Sequence, residues 1–174
     1  MMMVQRSQGK LIEVVYAEPL TADDLTAFTL EIRRLVGQAK EPLVFITDWR
    51  CVTGMFTKPI ADTIVWIMRR DNPMLGFNAC LVSPGNVPFR RQVEDILVQS
   101  QNPKRKCFTT EISLTAAVDP LLDETERLRL REFLRLNAPG PSSGATGGPS
   151  SGPASGPRSG PPAGPRSIPP SGKR

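Results

Sequence analysis

The chain has 174 residues, a formal charge of +5 and no histidine, enough length for one domain of ordinary size and a tail. Without histidine there are no Ser-His or Cys-His nucleophile pairs, no HExxH zinc site and no phosphohistidine relay. The charge sits at the end of the chain: Arg158, Arg166, Lys173 and Arg174 come with no acid beside them, which leaves about +1 for residues 1–137 and little case for nucleic acid.

Met3 to Gln5 and Lys10 to Tyr16 flank a polar turn, Arg6-Ser-Gln-Gly9, and read as a hairpin with Ile12, Val14 and Tyr16 alternating onto one face. Pro19 closes the second strand. Thr21-Ala-Asp-Asp24 is a helix start of the capping-box kind. Leu25, Phe28, Ile32, Leu35 and Val36 follow at helical spacing up to Gly37. Leu43 to Ile46, bounded by Pro42 and the polar Thr47-Asp48, is a short apolar run of the kind found in a strand covered on both faces. Gly54 and Pro59 punctuate a loop, and a helix runs from near Ile60 to Arg70 with Ile60, Ile64, Ile67 and Met68 on one stripe.

Phe77 to Val82 is the next buried strand. Pro88 opens a third helix bearing Phe89, Val93, Ile96 and Leu97. Lys106 to Thr109 is brief and flanked by Lys104-Arg-Lys106, which suits a sheet edge. Ser113 is placed to cap a short helix through Val118. Asp119-Pro120 either kinks it or starts another helix to about Leu136, with Asp123–Arg127 and Arg129–Glu132 as surface pairs. The apolar character of residues 121–136 suits either a seat across the domain or self-association with a second copy. The order of hairpin, helix, strand, helix, strand, helix, strand, helix predicts an α/β fold: a mainly parallel sheet of four to five strands with helices packed against it.

From Ala138 on, the chain is almost wholly Gly, Pro, Ser and Ala, with Ile168 its only larger apolar side chain. Residues 1–137 are therefore read as the domain, and residues 138–174 as a disordered basic tail that buries too little surface to offset its ordering entropy. Gly156-Pro-Arg-Ser159 recurs as Gly164-Pro-Arg-Ser167 around a Pro162-Ala-Gly-Pro165 step, which reads as a spacer. Cys51, Cys80 and Cys107 have no CxxC spacing and read as buried reduced thiols. Met1-Met-Met-Val-Gln-Arg6 lacks the apolar core of a signal peptide, and Ile60 to Met68 is too short to span a bilayer, so the expected location is cytoplasmic.

This order, with Leu20-Thr-Ala-Asp-Asp24 after the hairpin, the Phe45-Ile-Thr-Asp48 strand, and Cys107-Phe-Thr-Thr110 leading to Ala116-Ala117, resembles the STAS fold of anti-sigma factor antagonists over most of residues 1–137. The resemblance implies a STAS-like, bacterial, non-enzymatic regulatory module that works by protein–protein interaction and uses neither cofactor nor metal. It carries an alternative as well: STAS-like sheets resemble CRAL-TRIO lipid-binding domains, so the chain is also read as a carrier of a small hydrophobic ligand or lipid. Phosphoswitch members follow the Asp-ending strand with an Asp-Ser-Ser-Gly-like turn whose first serine is the phosphoacceptor. Here the turn falls on Phe56-Thr57-Lys58-Pro59. Thr57 takes the acceptor position, with Phe56 in place of the acid, Lys58 of the second serine and Pro59 of the glycine. Cap preferences alone read Thr57 as an N-cap.

Because the resembled family meets its kinase partner at this turn, and because parallel sheets place their sites at the carboxyl ends of strands, the candidate partner-binding residues are Trp49, Arg50, Phe56 and Lys58. For Trp49 and Phe56 a place at the core edge is the competing reading. Asp48 lacks the acidic pair a response-regulator site needs and reads as a strand-end carboxylate bonded to loop amides. Arg69-Arg70, Arg90-Arg91 and Lys104-Arg-Lys106 form either a basic patch for an anionic partner or solvated helix ends.

Overall fold

The computed structural model describes residues 2–6, 9–16 and 20–138. The reading of residues 139–174 as disordered, and the parts of the hairpin turn and strand end that fall on Ser7, Gln8 and Pro19, lie outside the described residues.

β1 (Met2–Arg6) pairs antiparallel with β2 (Leu11–Tyr16), and β3 (Leu43–Trp49), β4 (Leu75–Val82) and β5 (Arg105–Phe108) continue the sheet in parallel, in the order β1-β2-β3-β4-β5. Every crossover therefore steps to the next strand in the same direction. Right-handed crossovers then place all three connecting helices on one face: α1 (Ala22–Gln38), α2 (Lys58–Asp71) and α3 (Val87–Gln99). The chain turns over the β5 edge and covers the opposite face with α4 (Glu111–Val118), a 3-10 turn at Asp119–Leu121, and α5 (Glu124–Leu136).

Strand alternation divides the core between these layers. Leu43, Phe45 and Trp49 face α1–α3, while Val44 and Ile46 face α4 and α5 beside Leu11, Ala79 and Leu81. All seven residues of β3 are buried, which is why its sequence shows no polar face. Ile46 and Leu81 are fully buried in adjacent strands, as expected.

The element boundaries carry several corrections. The Thr21 capping box is present, with Asp24 N–H donating to the Thr21 hydroxyl at 3.1 Å and Thr21 N–H to the Asp24 carboxylate at 3.0 Å. α4 is capped by Thr110, whose hydroxyl accepts from Ser113 N–H at 3.2 Å, so the cap lies three residues before Ser113. Asp123 caps α5 through Glu126 N–H at 2.8 Å, and Arg127 turns to Glu124 and the Asp119 carbonyl; the expected Asp123–Arg127 pair gives way to a cap. Arg129 does meet Glu132, at 3.0 Å, and also reaches the buried Glu13 of β2 at 2.9 Å. Burial pushes the Glu13 carboxyl above its ordinary value, against the opposing pull of Arg129. Gly9 has φ +90°, and a Cβ there would collide with the Glu126 carboxylate, which accepts from Lys10 N–H at 2.7 Å and ties α5 to the hairpin.

Candidate interaction surface

The loop after β3 is built on an aromatic cluster. Phe56 packs edge-to-face with Tyr16 (5.6 Å between centroids), Trp49 (5.6 Å) and Phe89 (5.1 Å), geometries that add about 0.5–1.5 kcal/mol per pair beyond burial. Trp49 is 1% exposed and Phe56 7%. The core reading of these two rings is therefore the observed one, and they do not present a surface to a partner. They plug the loop into the layer between the sheet and α3.

α3 fixes the loop backbone. The Gln92 side chain accepts from Phe56 N–H and donates to the Phe56 carbonyl, both at 2.8 Å. Asn86 caps α3 through Phe89 N–H and donates to the carbonyls of Val52 (3.1 Å) and Thr53 (3.2 Å). Loop amides that would otherwise need water are satisfied by two side chains, which holds the loop in one shape.

Arg50 lies inside the protein. Its guanidinium grips Asp48 in a fork, with Nε at 3.0 Å from Oδ1 and Nη2 at 2.6 Å from Oδ2, donates to the Leu134 carbonyl at 3.0 Å, and bonds Glu111. One side chain thus joins the end of β3 to the first turn of α4 and the last turn of α5. Burial lowers its pKa, but the bonds and charges of Asp48 and Glu111 outweigh that and hold it above the ordinary value. Asp48 also accepts from Arg50 N–H at 3.0 Å, the strand-end role its sequence position suggests.

Among the sequence-derived candidates, Lys58 and Thr57 reach the surface. Lys58 pairs with Asp62 one turn on, at 2.6 Å. Thr57 occupies the N-cap position of α2, yet its hydroxyl makes no capping bond. The surface feature the sequence did not reveal is Met55, 58% exposed at the tip of the loop. It stands between two shallow grooves, one lined by Val87, Pro88 and Arg91 of α3, the other by Leu20, Val52 and Ile60. No periodic pattern marks a lone loop methionine. Nor was Asn86, which caps α3 and bonds two loop carbonyls, singled out from the sequence.

The remaining candidates are structural. Arg105, the centre of Lys104-Arg-Lys106, is buried and spends its guanidinium on the Met68 carbonyl (2.7 Å), Asn72 and Asn78, so that basic run does not form one surface patch. Burial lowers its pKa. Arg69 donates to the Gln99 carbonyl, Arg70 pairs with Asp71, and Arg90 faces Glu94. Cys51 is exposed, contrary to expectation, while Cys80 is buried and Cys107 half-buried; all three are free thiols. α5 turns Leu130, Phe133 and Leu134 onto the sheet and so takes the seat across the domain, leaving Leu128 and Leu136 outside. Under α1 and α2 lies a cavity of about 50 Å³ lined by Phe28, Ile32, Phe45, Trp49 and Ile64. Ligand sites usually offer about 300–1,000 Å³. No helix among the described residues is long and apolar enough to cross a membrane.

No protein-family model, no curated protein and no solved structure matches this chain.

Proposed function

We propose that this chain is a non-enzymatic, STAS-like regulatory module that captures another protein on the loop from Arg50 to Lys58 and the first turn of α2. The observation that carries the reading is Met55: a large apolar side chain held out at the carboxyl end of the parallel strands by a loop pinned at Phe56, Val52 and Thr53. An anchor on a rigid loop loses little entropy when it docks. Arg91 lines the groove on one side of it together with Asp95, and Lys58, paired with Asp62, follows three residues on, which suits a partner that presents an apolar pocket with an acidic neighbour for Arg91. The polar groups of the region, Asp48, Arg50, Glu111, Asn86 and Gln92, are engaged with one another or with backbone, which supports binding over catalysis. The carrier reading has less support, because a cavity of about 50 Å³ is too small for an acyl chain.

A second reading rests on Thr57. Its exposed hydroxyl makes no capping bond, and a phosphate there would sit at the amino end of α2, where the helix dipole favours it. The test is capture of a host protein by the immobilised full chain. Met55→Asp is expected to abolish capture without loss of folding, and Thr57→Ala to leave it intact. Capture that survives Met55→Asp and is lost with Thr57→Asp would favour the phosphoswitch instead.

A further inference from the structure

We infer that the outer face of α1 and α2 is a self-complementary surface on which two copies of this chain meet antiparallel about a two-fold axis. The face is separate from the Met55 loop and does not depend on its role. α1 and α2 both return from parallel strands, so they point the same way. Leu30 on α1 is 59% exposed and Trp66 on α2 is 54% exposed, and both line a groove of about 370 Å³ between the helices together with Thr26, Thr29 and Thr63. The Arg70 guanidinium stacks over the Trp66 ring, 5.2 Å from its centroid, and holds the indole in place. A fixed, exposed tryptophan beside an exposed leucine is an interface anchor without a partner in the monomer.

The charges select the occupant. On α1 the amino end of the face carries Asp23 and the carboxyl end Arg33, while on α2 Asp62 is paired with Lys58, Arg70 with Asp71, and Arg69 donates to the Gln99 carbonyl. Asp23 and Arg33 are about 15 Å apart along α1, and Asp62 and Arg70 flank Trp66 by one turn on each side. Asp23 and Arg33 make no ion pair among the described residues. α1 thus reads acid, apolar, base, and Trp66 adds the apolar centre on α2. A second copy laid antiparallel sets base over acid at both ends and brings Leu30 and Trp66 together near the axis, as an isologous contact requires. A parallel copy would oppose like charges, and an acidic peptide would match one end only. Helices of 17 and 14 residues offer a face of about 25 by 20 Å, so the contact buries about 1,000 Å² in total, the low end for specific interfaces. The dimer is accordingly weak and reversible.

The test is sedimentation equilibrium of the full-length chain over a wide concentration range, read beside its tryptophan emission; Trp49 is already buried, so a blue shift with association reports Trp66. A monomer–dimer equilibrium is expected, with Trp66→Ser weakening it about thirtyfold or more. Arg33→Asp and Asp23→Arg should each weaken it about tenfold, and the two combined in one chain should restore it, since the swapped charges again face each other. All these positions are exposed, and a urea midpoint close to that of the unmodified chain verifies folding. A chain that stays monomeric throughout, a dimer indifferent to Trp66→Ser, or a double variant no better than the single ones would overturn the inference. So would a monomer that takes up an acidic, apolar peptide in this groove.

Discussion

Replacing Arg50 with methionine removes the fork on Asp48, the bond to the Leu134 carbonyl and the contact with Glu111 while keeping most of the side-chain volume. Asp48 is then a buried carboxylate whose remaining protein bond is the residue-50 N–H. Breaking a buried ion pair by deleting one partner costs about 3–5 kcal/mol. The orphaned Leu134 carbonyl adds about 1 kcal/mol. Glu111 adds nearly nothing, because its side chain is 44% exposed and solvent screens the pair. Arg50→Met should therefore cost about 5 kcal/mol and lower the thermal midpoint by about 10 °C or more. Adding Asp48→Asn removes the uncompensated charge, so the double variant should recover about half the loss, a strongly non-additive cycle. Urea unfolding followed by the emission of the buried Trp49 measures all four corners of the cycle. A loss below about 1 kcal/mol for Arg50→Met, or simple additivity, would show that the Asp48–Arg50 fork does not clamp α4 and α5 to the sheet.

Glu13 has its carboxyl pushed above the ordinary 4.5 by burial, so the folded chain binds this proton more tightly than the unfolded chain, and stability should fall as pH rises through the window above 4.5. The slope should vanish in Glu13→Gln; Asp24 and Glu31, held low by Thr21 and Arg34, act instead below their ordinary 3.8 and 4.5, and a slope unchanged in Glu13→Gln would refute the assignment. A thiol reagent at mildly alkaline pH should modify Cys51 quickly and spare Cys80 and Cys107, whose thiols burial pushes up to about 12 and about 11; rapid reaction of all three would contradict their placement as neighbours across β4 and β5. Gln101, after α3, has φ 59°, so Gln101→Gly should stabilise by about 0.5–1 kcal/mol in urea unfolding, and a loss of stability would show that the side chain has a role of its own.

The layer architecture was legible because each element carried its own local signal: the Thr21 capping box, the helical spacing of Leu25 to Val36, and the unbroken apolar run from Leu43 to Ile46. Ile12, Val14 and Tyr16 fell on the face that strand alternation assigns them. The candidate site was read less well, for a physical reason. Near a strand end, Trp49, Arg50 and Phe56 have the composition of a hot spot whether they point in or out. What decides is contact with residues distant in sequence: Phe89 and Gln92 for Phe56, and Glu111 and Leu134 for Arg50. The same holds for Arg105, whose place in a basic run concealed its bonds to Met68, Asn72 and Asn78. Met55 and Trp66 are exposed because their neighbours occupy the core positions, which depends on the whole packing.

The proposed function is tested most directly by site-specific photo-crosslinking in host extract, with the reactive residue replacing Met55 in one full-length chain and Ile112, which is more exposed still on α4, in another. The account predicts one discrete crosslinked protein from position 55, absent from position 112 and lost when Lys58 and Arg91 are both changed to glutamate. The same product from both positions, or a discrete product from position 112 alone, would contradict the placement of the partner on the Arg50–Lys58 loop.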